Sequence, residues 1–362
     1  STQQHWGGGE ALLWSLGGEL RQSGHSVGWI VRRDSEVQEH LRSRAAPVLH
    51  AIQGRGLNVR DWLAIRRSLR GWVPDIVLLN DSHAVPLVGS ATWFCRRPRP
   101  LRLAYKHTIF PLRSPLKYRL LSDKLVCVSE AARQTVVQGG LAAKRAVVIH
   151  GGCQLPQPTA DARASVRQEL GLEPDEPLLV CVGNLLACKG HGDLLNAMEL
   201  LHRRHPKLRL VIAGRGEEQA RLQRQIDRLG LGQQVQLLGY RDDAQRLLEA
   251  ADLVVHPSHA EGLSLVLIGA QMLCQPIVAT AVGGAQEVLG FGTPQCSSWI
   301  AEPHSPRSLA EQITAALRAI EHDSDALHGK LAATAERMRT DFTIQSAAEK
   351  LSQLAAQLLS HR

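Results

Sequence analysis

Residues 253–271 read LVVHPSHAEGLSLVLIGAQ. The apolar run Leu253–Val255 has the pattern of a short buried strand, a polar loop opened by a proline follows, and an apolar run at helical spacing resumes after it. Glu261 and Gly262 stand where that helix begins. A strand feeding a helix through a short loop is the repeating unit of a parallel sheet, and ligands of such sheets gather outside the strands' carboxyl ends. Glu261 can accept hydrogen bonds from two hydroxyls, as a sugar offers, and the N–H groups of Gly262, Leu263 and Ser264 can face a phosphate. Glutamate at a helix start is also ordinary complementing of the helix dipole, so this corner alone leaves both readings open.

Outward from that stretch the alternation continues. Strands are predicted at Leu178–Val182, Leu208–Ala213, Val235–Leu238 and Ile277–Ala279, with helices at Asp193–His205, Glu217–Leu229 and Asp243–Ala250. The first half repeats the pattern: a helix over Glu10–Ser23, then strands at Val27–Val31, Asp75–Leu79, Leu101–Tyr105, Leu125–Val128 and Val147–Ile149. Ser129 reads as a helix N-cap. Gly151 and Gly152, followed by Pro156 and Pro158, form a flexible exit. The expected organisation is α/β, with two Rossmann-like domains at residues 1–152 and 153–340 facing across a cleft, and a last helix within 341–362 crossing back to the first. Ser1–His5 reads as a loop where an α/β domain normally starts with a strand, so a first strand is expected to be missing.

The 362 residues carry a net charge of +8. Residues 1–150 hold 22 Lys and Arg against 10 Asp and Glu, a net of +12, which leaves −4 for the rest; the halves are expected to meet different partners. Arg96 to Arg119 carries eight cations and no acid. Its bland reading is a solvated face; its functional reading is a patch for an anionic acceptor or an anionic membrane surface. Aromatics at 4%, with no nucleic-acid motif, argue against a stacking platform, so nucleic acid is not expected as a partner. No apolar run is long enough to span a bilayer and no signal peptide opens the chain. Seven scattered cysteines without a C-x-x-C fit a reducing compartment and no zinc site.

Glycines mark further loops. Gly7, Gly8 and Gly9 lie directly before the first helix, where close backbone approach and free N–H groups suit an anion; a plain turn is the alternative. Gly183, Asn184, Lys189 and Gly190 lie on a loop from strand to helix that points a lysine at the sheet's carboxyl edge, or merely into solvent. Gly283 and Gly284 follow another strand. Gly214-Arg-Gly216 lacks the third glycine of a dinucleotide fingerprint, and no Walker P-loop is present.

In their order along the chain, VGNLLACKG, LVIAGRGEE, VQLLGYRDD, AADLVVHPSHAEGLSLVL and PIVATAVGGAQEVL resemble glycosyltransferase family 4, the retaining nucleotide-sugar transferases of GT-B fold. GGGE, GHSV, PDIVLLNDSHA, YKHT and KLVCVSEAAR carry the resemblance more loosely through the first half. The resemblance implies that Gly7, Gly8 and Gly9 hold a donor diphosphate, with Gly183 and Asn184 on the same donor. It implies that Lys189 neutralises the diphosphate as it leaves, and that Glu261 binds hydroxyls of the donor sugar with the amides of Gly262, Leu263 and Ser264 beside it. Gly214, Gly216 and Tyr240 would surround the base, and His107 would lie near the reacting sugar. Neither metal nor cofactor is implied, because lysine and helix N-termini take a divalent cation's place. The family also implies a cytoplasmic protein, peripheral at the inner membrane face, in polysaccharide or glycolipid synthesis.

Three positions depart from the family pattern. Gly269 stands where the family has a second glutamate, on ribose; Asn184 stands where many members have arginine; Ile149–Gln154 reads IHGGCQ at the hinge. The expected function is therefore sugar transfer, with retention, from a nucleotide-diphosphate donor to an anionic or lipid-linked acceptor by a divergent member. The alternatives are a non-catalytic GT-B scaffold or binding protein, and an enzyme of the nucleotide-sugar epimerase kind.

Overall fold

The computed structural model describes residues 1–53, 58–95, 98–157, 159–322 and 324–361. They form two compact units, one of Ser1–Gln154 plus the stretch from Thr343 onward, the other Leu155–Phe342.

In the first unit the strands are β1 (Trp29–Arg32), β2 (Val48–Ile52), β3 (Ile76–Leu79), β4 (Leu101–Lys106), β5 (Lys124–Cys127) and β6 (Ala146–Val148). They pair in parallel as two sheets, β1 with β2 and β3-β4-β5-β6 in that order. Among the described residues no strand pairs with the second edge of β1 or of β3. A cavity of about 840 Å³ lies there, lined by Trp29 and Ile30 from β1, Ile76 and Leu78 from β3, and Leu13 and Leu351 from two helices. Those helices, Gly8–Gln22 and Ile344–Ser360, are the first and last of the chain and pack together, with Gln345 Nε2 donating to Glu19 Oε1 at 3.1 Å.

In the second unit β7 (Leu178–Val182), β8 (Arg209–Ala213), β9 (Val235–Gly239), β10 (Leu253–His256), β11 (Ile277–Thr280) and β12 (Trp299–Ala301) form one parallel sheet, order β12-β11-β10-β7-β8-β9. β10 and β11 are buried at every residue, which explains why each is apolar up to its last residue, His256 or Thr280: a parallel sheet is covered on both faces. Helix His191–His202 buries Leu194, Leu195, Met198 and Leu201 at helical spacing in that cover.

Several expectations shift. The first helix begins at Gly8, so Gly8 and Gly9 are its first turn rather than a preceding loop. Helix His191–His202 starts two residues earlier than its apolar pattern suggested, because Gly190 serves as its N-cap. β2 and β12 were not anticipated: β12 is three residues long and β2 is interrupted by His50, so neither shows a strand-length apolar run.

The basic run is less free than its sequence implies. Arg96 and Arg97 lie outside the described residues. Arg102 meets Asp123 at 2.8 Å, so an acid arrives from the position just before the neighbouring strand β5. Lys106 Nζ donates to the Phe110 carbonyl at 2.6 Å and Lys117 Nζ to that of Ser82 at 2.8 Å. Arg113 and Arg119 are exposed, beside exposed Phe110, Leu116 and Leu120. Among the described residues no disulfide forms, and no helix is long and apolar enough to cross a membrane.

Candidate functional site

In the second unit, the loops at the carboxyl ends of β7 and β10 meet. Lys189 ends a 3₁₀ turn, Ala187–Lys189, and Gly190 follows in the left-handed region at φ +68°. A Cβ at Gly190 would lie 1.9 Å from the Pro257 carbonyl oxygen, so only glycine lets the two loops touch. His259 N–H donates to the Cys188 carbonyl at 2.8 Å across the same junction.

This junction sets Lys189 Nζ 2.5 Å from Glu261 Oε1. The same oxygen lies 2.8 Å from His256 Nε2 and accepts from Ser258 Oγ at 2.8 Å. Glu261 and His256 are both buried. Burial alone would lift the Glu261 carboxyl, but the hydrogen bond and charge of His256, with the charge of Lys189, outweigh it and hold the group well below the ordinary carboxylate range. The backbone is pinned as well: the glycine turn after β11 donates Gly284 N–H to the Glu261 carbonyl at 2.9 Å. Ser264 caps helix Leu265–Met272 by accepting from Leu267 N–H. The result is a carboxylate at a strand's carboxyl end, ion-paired with a lysine and followed by a helix N-terminus, with Gly262 and Leu263 only partly buried between them.

Gly183, Gly214 and Gly216 close a neighbouring junction. A Cβ on Gly214 would meet the Gly183 carbonyl oxygen at 1.9 Å and one on Gly216 that of Leu185 at 2.3 Å. Gly214 and Gly216 are therefore explained by loop packing at the ends of β7 and β8, whereas a Cβ on Gly183 would meet nothing within 4 Å. Asn184 is exposed there, and Tyr240, half exposed, lies under the Arg215 guanidinium at 4.6 Å from its ring centre.

In the first unit, the amino end of helix Gly8–Gln22 meets β3 and β4. A Cβ on Gly9 would stand 3.3 Å from the His107 ring, so His107 lies against the glycine turn. His107 Nε2 is 2.7 Å from Asn80 Oδ1, while Asn80 Nδ2 donates to Glu10 Oε1 at 2.9 Å. Because the amide oxygen faces the ring, Nε2 carries the proton and Nδ1 is left as the acceptor. Burial pulls the His107 pKa down to about 4, against a partial pull upward from Asp81, so the ring is neutral at neutral pH.

Two family profiles match the chain in series: Glycosyltransferase Family 4 over residues 6–155, and Glycosyl transferases group 1 over residues 162–326. The chain belongs to glycosyltransferase family 4. Curated relatives include a D-inositol 3-phosphate glycosyltransferase of Mycobacterium sp. (strain KMS), 33% identical over 224 residues, which are 59% of this chain and 49% of that protein. Another of the same name, from Segniliparus rotundus, is 30% identical over 261 residues, 69% of this chain and 56% of the relative. The chain thus spans about half the length of the curated relatives it matches. Among solved structures, Anabaena Alr3699/HepE in complex with UDP and glucose superposes with a TM-score of 0.82 at 21% identity, covering 99% of this chain and 98% of that one. That likeness shows the GT-B fold of two Rossmann-like domains.

Gly269, which stands where the family 4 pattern has a glutamate, sits just over one turn into helix Leu265–Met272. The nearest atom to a Cβ built there is Leu248 Cδ1 at 3.9 Å, so a side chain would fit. His256, Ser258 and Asn80 were not singled out from sequence. Each is a polar residue at or just past the carboxyl end of a strand, a position that would have flagged it.

Proposed function

We propose that this family 4 chain is a retaining glycosyltransferase that moves a sugar from a nucleoside-diphosphate sugar to an anionic acceptor. The observation that carries the proposal is the Lys189–Glu261 corner, a buried carboxylate and a lysine held together at a helix N-terminus. Glu261 binds hydroxyls of the donor sugar. Lys189 turns from Glu261 to the diphosphate, where charge develops as the sugar–phosphate bond breaks; a fixed donor aimed at such charge supplies a large catalytic term. The amides of Gly262, Leu263 and Ser264 assist. Asn184, Gly183, Gly214, Gly216 and Tyr240 belong to the nucleotide end of the same surface. In the first unit, neutral His107 offers Nδ1 to a hydroxyl beside the reacting sugar, and the Gly7–Gly9 turn offers backbone N–H groups to an anion. The exposed Arg113 and Arg119 fit an anionic acceptor or an acidic membrane face. The names of the mycobacterial relatives support a phosphorylated polyol as the class to try first.

The test is a thermal-shift panel of UDP, GDP, ADP, CDP and dTDP, followed by transfer assays with the stabilising nucleotide's sugars and a Glu261→Ala control. A ligand at a hundredfold excess over its dissociation constant stabilises by about 2.7 kcal/mol, so a working site responds. Unchanged transfer by Glu261→Ala would overturn the assignment. Gly269 and the exposed Asn184 favour a second reading, a non-catalytic relative, which silence across the whole panel would support. Sugar isomerised without any acceptor would instead identify an epimerase.

A further inference from the structure

Asp193, His259 and His304 come together in the second unit although 111 positions of sequence separate the first from the last. One ligating atom from each lies within 4.8 Å of the other two. His259 Nε2 is 2.8 Å from Asp193 Oδ2, and the His259 and His304 rings approach to 3.6 Å between centres. The three residues follow three different strands of one sheet: Asp193 lies in the first turn of the helix after β7, His259 in the loop after β10, and His304 in the loop after β12. A small cavity of about 120 Å³ adjoins Asp193 and His259, lined also by Asn196, Gln225 and Arg221.

Two features set this trio apart from chance. His304 is held in the left-handed region at φ +59°, a conformation disfavoured for any residue with a Cβ, and in that conformation its ring lies on that of His259. His259 is not free to turn away, since its backbone is tied to Cys188 and its ring to Asp193.

We propose that Asp193, His259 and His304 form a zinc site. Two imidazoles and one carboxylate are the donor set of zinc rather than of magnesium or calcium, which take oxygen ligands. An ion about 2.0–2.2 Å from each of three tetrahedral ligands needs ligand atoms roughly 3.3–3.5 Å apart. The trio's ligand atoms, 2.8 Å apart between His259 and Asp193 and none more than 4.8 Å apart, bracket that spacing. The fourth position faces solvent past the exposed His304. A bound ion would clamp the loop that carries Glu261 to the helix that starts beside Lys189, and both to the loop after β12. The inference rests on this geometry and stands independently of the transferase reading.

The test uses protein freed of metal and carrying no histidine tag. Zinc titrated by calorimetry is expected to bind one ion per chain at micromolar or lower concentration, and cobalt is expected to give the visible bands of a tetrahedral site. His304→Gly and Asp193→Asn are expected to weaken binding by roughly tenfold or more. The glycine variant also separates binding from folding: relieved of left-handed strain, metal-free His304→Gly melts no lower than the parent, yet zinc no longer raises its melting temperature. Absence of saturable zinc binding, or equal binding by parent and His304→Gly, would overturn the site.

Discussion

One carboxylate oxygen of Glu261 gathers Lys189, His256 and Ser258 around it, and these neighbours decide what each substitution does. Glu261→Gln keeps the shape but leaves Lys189 and His256 facing a neutral group; breaking a buried pair from one side costs about 3 kcal/mol, to be read from denaturant unfolding. Gly269→Glu is expected to act in the opposite direction. A Cβ meets only Leu248 Cδ1, at 3.9 Å, and removing a glycine from a helix interior gains about 0.5–1 kcal/mol. A restored charged hydrogen bond to ribose would add about 1.5–3 kcal/mol, roughly 10- to 100-fold in nucleotide affinity by calorimetry. His107 supplies a pH signature. Its folded pKa of about 4 lies below the ordinary 6.5, so the unfolded chain takes up the proton first and stability falls as pH drops from 6.5 toward 4. Above 6.5 the residue has no such effect. In His107→Gln this part of the acid slope is expected to flatten in urea titrations at stepped pH. Glu261 and Lys189 could be picked out in the sequence because each stands beside a glycine in a loop after a strand; their ion pair could not, because 72 positions separate them. His256 was not, because a histidine at the end of an apolar run looks the same whether it faces core or site.

Among the elements, the loop after β7 depends on one backbone conformation. Gly190→Ala places a methyl group against the Pro257 carbonyl and asks a residue with a Cβ to remain left-handed. Left-handed strain costs about 1–2 kcal/mol before the clash is counted, so thermal unfolding is expected to come several degrees earlier, with the nucleotide response lost. Strands with both faces covered, such as β7 and β10, could be read directly, since burial leaves no polar alternation to confuse them. Short or half-buried elements escaped. β12 has too few residues to show any period, and the first helix was placed late because Gly8 and Gly9 look like loop residues. They are helical because the backbone ahead of Glu10 has nothing bulky to exclude it, and Gly9 leaves room for the His107 ring.

At the scale of the whole molecule, the two units differ in how completely their sheets are made. The second has six strands in one continuous ladder. The first divides its described strands between two ladders, with an apolar cavity where their edges approach. Amides of β1 and β3 are therefore expected to exchange with deuterium well before those of β7, β8 and β10, by mass spectrometry on the native protein; equal protection would contradict this. Strand edges that no other strand covers serve as templates, and among the described residues two of them border one cavity, where the Ile30 carbonyl on β1 accepts a bond from the Ser1 amino group. An extended segment of a neighbouring molecule could lie along either edge, so crowding turns an internal gap into a source of self-association. Light scattering should then rise steeply with protein concentration, and a charged side chain set into the gap, as in Ile76→Lys, should suppress it.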